Sequence, residues 1–371
     1  MSPKEYNRYP LSPPAVQSPP LEFPYKVDDS WVGGKTILIT GGASGFGAGF
    51  VKRWASKGAT IVFGDVNVAK GKKFAETVRE ETGNKNVHFT KCDVTDWASQ
   101  VALFKEAVRV SGHGGIDAVV ANAGIGDTKL TFEKPTGLDS PNSSPPDLSV
   151  LNVNLTGVMY TTHLALFYLS RNPGSQPANP HTDPATTHRD RHLLLMGSMS
   201  SYLPLPGQSL YGAAKHAVMG LYRCLRTTTF SHGIRVNIIC PYFIDTPLLQ
   251  ANARMVLAGG TMGTIDDVVE AGTRFAADPR IVGRAVSVGP KIRVETDAEG
   301  VWTLVEEEGS ERGEEKAVWE IYMHDLEDSD VFGRRVVGLL NRTVEIRGWV
   351  GWTKDMVGAV SYGFNSLWGK K

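Results

Sequence analysis

The feature that most constrains the fold is a regular alternation that begins at Lys35. Short runs of β-branched and aliphatic residues alternate with longer amphipathic stretches. The short runs predict strands at 36–40, 60–63, 87–90, 116–120, 192–196, 234–239 and 284–288. The longer stretches predict helices that end near 57 and 82, and helices at 95–111, 148–170 and 209–230. Because parallel strands need crossovers that cover both faces, we predict an α/β fold with a doubly wound parallel sheet and helices on both faces.

The rest of the chain departs from this rhythm. Residues 1–30 are rich in proline and predict a flexible arm, so that 31–290 forms the main domain. Residues 291–371 are expected to form a C-terminal extension, with an acidic, solvated segment at 295–315 before an aromatic-rich tail. Two stretches rich in proline and small polar residues, 126–146 and 171–191, predict inserted loops.

Composition excludes several classes of protein. Lysine and arginine number 39, equal to aspartate and glutamate, so the chain lacks the basic surplus of a nucleic-acid-binding protein. No apolar run reaches the roughly 18 to 20 residues of a membrane span, and no signal peptide is recognisable. Three scattered cysteines fit reduced thiols and a cytoplasmic protein. The three histidines His181, His188 and His192 lack metal-ligand spacing, and we expect no metal.

A glycine-rich turn joins the first strand to a helix, with the sequence Thr40-Gly41-Gly42-Ala43-Ser44-Gly45-Phe46-Gly47. Such a turn presents backbone N–H groups and the positive end of a helix to a pyrophosphate. Gly41 permits the tight turn, Gly45 lets the main chain approach phosphates, and Gly47 lets the helix pack closely. The alternative is a turn without a ligand. We expect cofactor contacts from Gly41, Ser44, Gly45, Phe46 and Gly47.

The ends of the next three strands carry polar and small residues. Asp65 follows Gly47 by eighteen residues, the spacing of a carboxylate that binds ribose hydroxyls. An acid there repels a 2′-phosphate and favours NAD over NADP; the alternative is that Asp65 only opens a turn. Asp93 is a further candidate, or else a helix cap, with Thr95 and Asp96 as rival caps. The remaining expected cofactor contacts at these strand ends are Val94, Asn122, Ala123 and Gly124.

The candidate catalytic residues come later in the chain. Tyr211 and Lys215 are four apart in a predicted helix and therefore share one face. A neighbouring ammonium, helped by the positive nicotinamide ring, favours the phenolate, so we expect Lys215 to lower the pKa of Tyr211 and let it exchange a proton with an alcohol or carbonyl. Tyr211 and Lys215 are also expected to contact the cofactor, Lys215 by holding the nicotinamide ribose. Ser198 is expected to orient the substrate oxygen, with Ser200 and Ser201 as competitors. Asn154 is expected to bind a water that links Lys215 to solvent.

Together these motifs resemble the short-chain dehydrogenase/reductase family, in its classical subgroup. The resemblance covers about residues 33–290 and rests on the glycine turn, Asn122-Ala123-Gly124, Asn154, Ser198, the Tyr211/Lys215 pair and the segment 235–241. It implies a Rossmann-type domain, a nicotinamide cofactor, and contacts from Ile244 and Thr246 to the carboxamide. Phe46 and Tyr242 depart from the usual pattern. Within the family the chain is similar to 15-hydroxyprostaglandin dehydrogenase-like enzymes and to fungal hydroxy-polyketide dehydrogenases.

These observations predict an NAD-dependent oxidoreductase acting on a sizeable apolar secondary alcohol or ketone. The apolar character is inferred from side chains near the expected pocket: Tyr202, Leu203, Leu205, Tyr242 and Phe243. Two alternatives are an NADPH-dependent ketone reductase and a non-catalytic nucleotide-binding protein. The aromatic tail is expected to pack on the domain or on a second subunit of a homo-oligomer; the other interpretation is contact of 348–368 with a membrane surface.

Overall fold

The computed structural model describes residues 18–21, 28–127, 132–139, 141–228, 232–246, 262–297, 302–305 and 312–321, with eight helical positions between 339 and 357. The chain divides into two units, Gln17–Met323 and a second made of Met1–Val16 with His324–Lys371. In the second unit the described positions are helical, and four apolar residues are exposed: Leu339, Ile346, Val350 and Val357. The tail tryptophans Trp349, Trp352 and Trp368 lie outside the described residues.

The unit Gln17–Met323 is built on one sheet of nine strands. The strands are β1 Thr36–Thr40, β2 Thr60–Asp65, β3 Val87–Lys91, β4 Ala118–Ala121, β5 His192–Met196, β6 Arg235–Pro241, β7 Ala285–Thr296, β8 Trp302–Leu304 and β9 Glu314–Ile321. Their order is β3-β2-β1-β4-β5-β6-β7-β8, with β9 also paired to β7. The first seven pair in parallel, whereas β8 and β9 are antiparallel to β7.

Helices cover both faces of this sheet. They are α1 Gly45–Ala55, α2 Val68–Thr82, α3 Trp97–Val110, α4 Ser149–Leu151, α5 Val158–Leu169, α6 Ser209–Thr228 and α7 Ile265–Ala277. Alternate residues of β1 enter different cores, since Ile37 and Ile39 pack with α1 and α7 while Leu38 packs with α3 and α6. The predicted doubly wound parallel fold is confirmed. Within the described ranges, no helix is long and apolar enough to cross a bilayer.

The last parallel strand is longer than the sequence predicts. Strand β7 continues through a bulge between Val288 and Ile292, and so crosses the expected domain boundary at 290. Pro290 lies in that bulge, where the sheet does not need the N–H donor that proline lacks. Strand β9 lies along β7, and its Ala317 and Val318 are buried. The extension expected to begin at 291 therefore starts within β7, whereas the described residues of the acidic segment 295–315 are exposed or half-buried.

The N-terminal arm is docked where it is described. Ser18 donates from both its amide and its hydroxyl to the carbonyl of Val282, and it accepts at its own carbonyl from Arg284. The amide of Leu21 donates to Glu320 on β9 at 2.5 Å. Ser18 is buried. Partners far away in the chain thus hold Ser18 and Leu21, within the stretch 1–30 for which the sequence predicts a flexible arm.

Buried charges connect the amino ends of the strands. Asp117, just before β4, is fully buried and accepts from the amide of Thr36 at 2.8 Å and from Arg189 at 2.9 Å. Its other oxygen accepts from the amide of Asp190 at 3.0 Å and from the Asn172 side chain at 2.9 Å. The inserted loop 171–191 is thus fixed at both ends to the start of the sheet.

A second buried pair continues this network. Arg235, at the start of β6, is fully buried and forms an ion pair with Asp190 at 2.7 Å. The remaining guanidinium nitrogen donates to the carbonyls of Asp278 and Ile281. Because the charge is paired and its other donors are satisfied, the arrangement avoids the desolvation cost of an isolated buried ion.

Candidate active site

A cleft of about 360 Å³ opens at the carboxyl ends of the strands. Here the strand order reverses between β1 and β4, the position where open α/β sheets bind ligands. Most of the predicted cofactor and catalytic residues line it: Gly41, Ser44, Gly45, Phe46, Asp65, Asp93, Val94, Asn122, Ala123, Gly124, Tyr211, Lys215 and Thr246. The fold therefore brings together residues that are up to 205 positions apart in sequence.

The glycine turn has the conformation and clearance that a bound dinucleotide requires. Gly41 and Gly45 have φ values of +66° and +52°, which side-chain-bearing residues rarely adopt. A Cβ on Gly47 would lie 2.3 Å from the carbonyl oxygen of Gly41, so only glycine permits this packing. A Cβ on Gly45 would meet nothing closer than Thr246 at 4.0 Å, and a side chain there would fill the cleft. Ser44 precedes α1 and makes no capping bond, which leaves its hydroxyl available.

The two acidic residues at the ends of β2 and β3 face the same cleft. Asp65 accepts from the amide of Ala43 at 3.1 Å and from that of Asn67 at 3.0 Å, so it braces the glycine turn as well as facing the cleft. Asp93 accepts from Thr95, while the cap of α3 is Asp96. Each carboxylate keeps further lone pairs for a ligand, because each oxygen can accept more than one hydrogen bond.

The end of β4 is tied to the glycine turn. The Asn122 side chain donates to the carbonyls of Thr40 at 2.9 Å and of Gly41 at 3.0 Å. Ala123 lies against Gly41, where a Cβ would come within 2.8 Å of its Cα. The small residues thus let two chain segments meet at the floor of the cleft.

The catalytic candidates occupy one buried group. Lys215 donates to the carbonyl of Met196 at 2.9 Å, and its ammonium lies 5.7 Å from the centre of the Tyr211 ring. The Ser198 side chain lies near that of Tyr211. Burial raises the pKa of Tyr211 above its usual value, against the smaller lowering by Ser198, and burial lowers the pKa of Lys215 to about 8.

The expected lowering of the Tyr211 pKa involves both Lys215 and the positive nicotinamide ring. In the protein alone the pKa is raised, because burial disfavours the phenolate more than any neighbour favours it. The ammonium is engaged by a carbonyl rather than by the phenol oxygen. Any lowering of the Tyr211 pKa during reaction requires positive charge that a ligand supplies.

Asn154 is fully buried in a π-helical turn, Asn152–Gly157, that interrupts the predicted helix over 148–170. Its side chain accepts from the amide of Ile125 at 2.8 Å and donates to the carbonyl of Ile125 at 2.7 Å. Turns of this type occur often at functional sites. The side chain is therefore committed to the segment that follows β4, and the wall of the cleft is formed by neighbouring Val153.

Four predicted site residues are not among the residues that line the cleft: Gly47, Asn154, Ser198 and Ile244. Ile244 is buried and packs in the core below α1 and α7. The structure adds wall residues that the motifs did not indicate: Val66, Cys92, Ile125, Val153, Met196 and Gly197. Most of them are next in sequence to a predicted site residue. This adjacency is the sequence signal that could have identified them.

The sequence profile described as short chain dehydrogenase matches residues 35–256. The chain belongs to this family. Among relatives, this short chain dehydrogenase is 32% identical to 5'-hydroxyaverantin dehydrogenase of Dothistroma septosporum, over 74% of the chain and 92% of the relative. It is 32% identical to NADP-dependent dehydrogenase M3 of Phoma sp., over 72% and 78%, and 29% identical to 15-hydroxyprostaglandin dehydrogenase [NAD(+)] of Bos taurus, over 59% and 72%.

A solved structure shares the architecture. The 3-ketoacyl-(acyl-carrier-protein) reductase from Brucella melitensis, complexed with NADH, is 27% identical with a TM-score of 0.55, over 69% of this chain and 97% of that one. The short chain dehydrogenase is accordingly an oxidoreductase of hydroxyl and keto groups that uses a nicotinamide cofactor and a small-molecule substrate. The resemblance inferred from the motifs is confirmed.

Proposed function

We propose that this short chain dehydrogenase uses NAD to oxidise a sizeable apolar secondary alcohol, with Tyr211 as the proton-transfer group. The observation that carries the proposal is the placement of Tyr211 on the cleft wall, beside Ser198 and one helical turn from Lys215. When bound, the oxidised nicotinamide supplies a hydride acceptor and a positive charge.

The roles of the side chains follow from their positions. Tyr211 takes the hydroxyl proton of the alcohol as the carbinol carbon gives up its hydride, and in reverse it donates that proton to the carbonyl. Ser198, which lies near Tyr211, orients the substrate oxygen beside the phenol. Lys215 adds positive charge near the Tyr211 ring and exchanges protons near neutral pH, since its pKa is about 8. Asn154 acts as a positioning residue that holds Ile125.

The preference for NAD rests on Asp65. Its carboxylate lies at the end of β2 on the cleft wall and is held by two backbone amides. A negative charge held at that place binds the hydroxyls of an unmodified ribose and repels a 2′-phosphate. The names of relatives include both NADP-dependent and NAD(+) enzymes, so this residue carries the argument.

The apolar substrate is supported by side chains at the same edge of the sheet. Ile125 lines the cleft and is 37% exposed. Leu203 and Tyr242, on the segments that follow β5 and β6, are 43% and 38% exposed. Exposed apolar groups beside a polar catalytic group are typical of sites that bind apolar small molecules.

Replacing Tyr211 with phenylalanine tests the mechanism. We expect kcat on a panel of apolar secondary alcohols to fall at least about 10³-fold, since general acid–base catalysis is worth about 10²–10⁴-fold. Cofactor binding, followed by fluorescence, is expected to change little. Tyr222→Phe is the matched control, because Tyr222 lies on the same helix and its hydroxyl donates to the carbonyl of Gly283. Full activity of Tyr211→Phe would show that the mechanism is wrong.

Replacing Asp65 with asparagine tests the cofactor preference. The change removes the charge but keeps the shape, so we expect kcat/KM with NADP to rise relative to that with NAD by about 10-fold or more. Asp93→Asn, one strand further along the same cleft, is the control and should leave the ratio unchanged. A wild-type preference for NADP would contradict the proposal.

A further inference from the structure

A second cavity, the basal cavity, lies at the opposite end of the sheet from the active-site cleft. It has a volume of about 700 Å³, within the range of small-molecule sites. Its walls come from the turn before β1, the inserted loop 171–191 before β5, and the end of α7. It shares no lining residue with the active-site cleft. The two cavities are therefore separate sites on one domain.

The lining of the basal cavity contains more basic than acidic side chains. Four basic residues line it, Lys35, Arg189, Arg274 and Arg280, against two carboxylates, Asp28 and Asp278. Three of the basic residues are paired with acids, since Arg280 binds Asp278 at 2.8 Å, Arg189 binds Asp117 at 2.9 Å and Arg274 lies 3.9 Å from Glu270. Among the described residues Lys35 is therefore the lining cation that has no acidic partner, and it favours an anionic ligand.

The buried ammonium of Lys35 would gain a charged partner from an anionic ligand. The residue is only 3% exposed, and its ammonium donates to the carbonyl of His188 at 3.2 Å and lies 3.3 Å from the centre of the Trp31 ring. Among the described residues, no carboxylate comes within ion-pair distance of it. Burial lowers its pKa to about 8, against the raising influence of Asp190 and Asp117. An anion in the cavity would offset that loss of hydration.

The cavity also offers apolar surface. Trp31, Pro184, Ala185 and Ala277 line it together with the basic groups. A volume of this size exceeds the space that a free phosphate ion needs, and guanidinium forks match phosphate oxygens. We propose that the basal cavity binds the phosphate group of a small organic phosphate, with Lys35 and Arg280 as its principal ligands and the apolar residues against the organic part.

Calorimetric titration with phenyl phosphate and with inorganic phosphate tests this proposal on the full chain. We expect phenyl phosphate to bind more tightly than inorganic phosphate, because only it reaches the apolar wall. Lys35→Met and Arg280→Met are each expected to weaken binding about 10-fold or more, since each removes a charge-assisted hydrogen bond to the phosphate. Arg280 is exposed, so its variant is expected to fold even if the Lys35 variant does not.

Two control variants distinguish binding in the basal cavity from binding in the cofactor cleft or at surface lysines. Lys72→Met removes an exposed lysine of α2, and Gly45→Ala places a methyl group in the cofactor cradle. Both are expected to bind phenyl phosphate as the wild type does. If Gly45→Ala lost phenyl phosphate binding while Arg280→Met retained it, the phosphate would bind in the cofactor cleft. This result would overturn the proposal. Absence of binding to the wild type, or citrate binding at least about 10-fold tighter than phenyl phosphate, would also overturn it.

Discussion

Two groups of buried charges in the parallel sheet differ in the partners they meet. At the amino ends, Asp117, Asp190 and Arg235 are buried and joined by ion pairs and amide hydrogen bonds. At the carboxyl ends, Lys215 is just as deeply buried but meets a neutral partner, the carbonyl of Met196, and Tyr211 beside it lies near the neutral Ser198. Lys35, although it lies at the amino ends, resembles Lys215, because it too meets a carbonyl and has a pKa of about 8.

The difference separates charges that stabilise the fold from groups kept for chemistry. A buried ion whose partner is an opposite charge keeps its ordinary protonation state, and removing either partner strongly destabilises the fold. A buried ion with a neutral partner has a shifted pKa, and this is what sets the pKa of Lys215 near 8. If this comparison is right, substitutions at the two ends should affect different quantities.

The largest effect on stability is expected at the amino ends. Asp190→Asn removes the partner of the fully buried Arg235 guanidinium and should lower the free energy of unfolding by about 3–5 kcal/mol. Chemical denaturation measures this change, while kcat/KM per folded molecule should stay near that of the wild type. Glu106→Gln breaks the exposed pair with Arg109 and should cost at most about 1 kcal/mol. Equal losses in the two variants would break the comparison.

The converse is expected at the carboxyl ends. Lys215→Met should lower kcat/KM by about 10²-fold or more, because the ammonium supports proton transfer at Tyr211. The same variant should unfold at an equal or higher temperature, since it removes a charge whose burial is unfavourable. Steady-state kinetics and thermal unfolding give both quantities. A drop in unfolding temperature like that of Asp190→Asn would mean that Lys215 holds the fold.

The smallest expected effect is the dependence of stability on pH, and it sharpens the comparison. Lys215 has a folded pKa of about 8 and an unfolded value near 10.5, so between these values the unfolded chain binds more protons. Stability contributed by this group therefore rises with pH, by about 1 kcal/mol between pH 7 and pH 9. Because Lys35 titrates in the same window, the measured quantity is the difference between wild type and Lys215→Met across that range. A difference that is constant with pH would show that Lys215 keeps an ordinary pKa.

Local patterns predicted much of this molecule. The strands up to β6 and the glycine turn could be predicted because runs of β-branched and aliphatic residues and the conformations of glycine depend on consecutive residues. The proximity of Tyr211 and Lys215 followed from helical spacing. The docking of Ser18, the continuation of β7 and the bonds of Asp117 were not predicted, because each depends on partners distant in sequence. The raised pKa of Tyr211 was not predicted for the same reason, since burial is a property of the folded chain.

Strand β9 supplies, from within one chain, the backbone partner that an open sheet edge otherwise takes from a second molecule. The residues of β7 that it pairs with would have unsatisfied N–H and C=O groups in a shortened protein ending before Glu314. Such a protein would retain the cleft residues but would expose a long, unpaired strand edge. Self-association would then follow from the removal of a segment that takes no part in the chemistry.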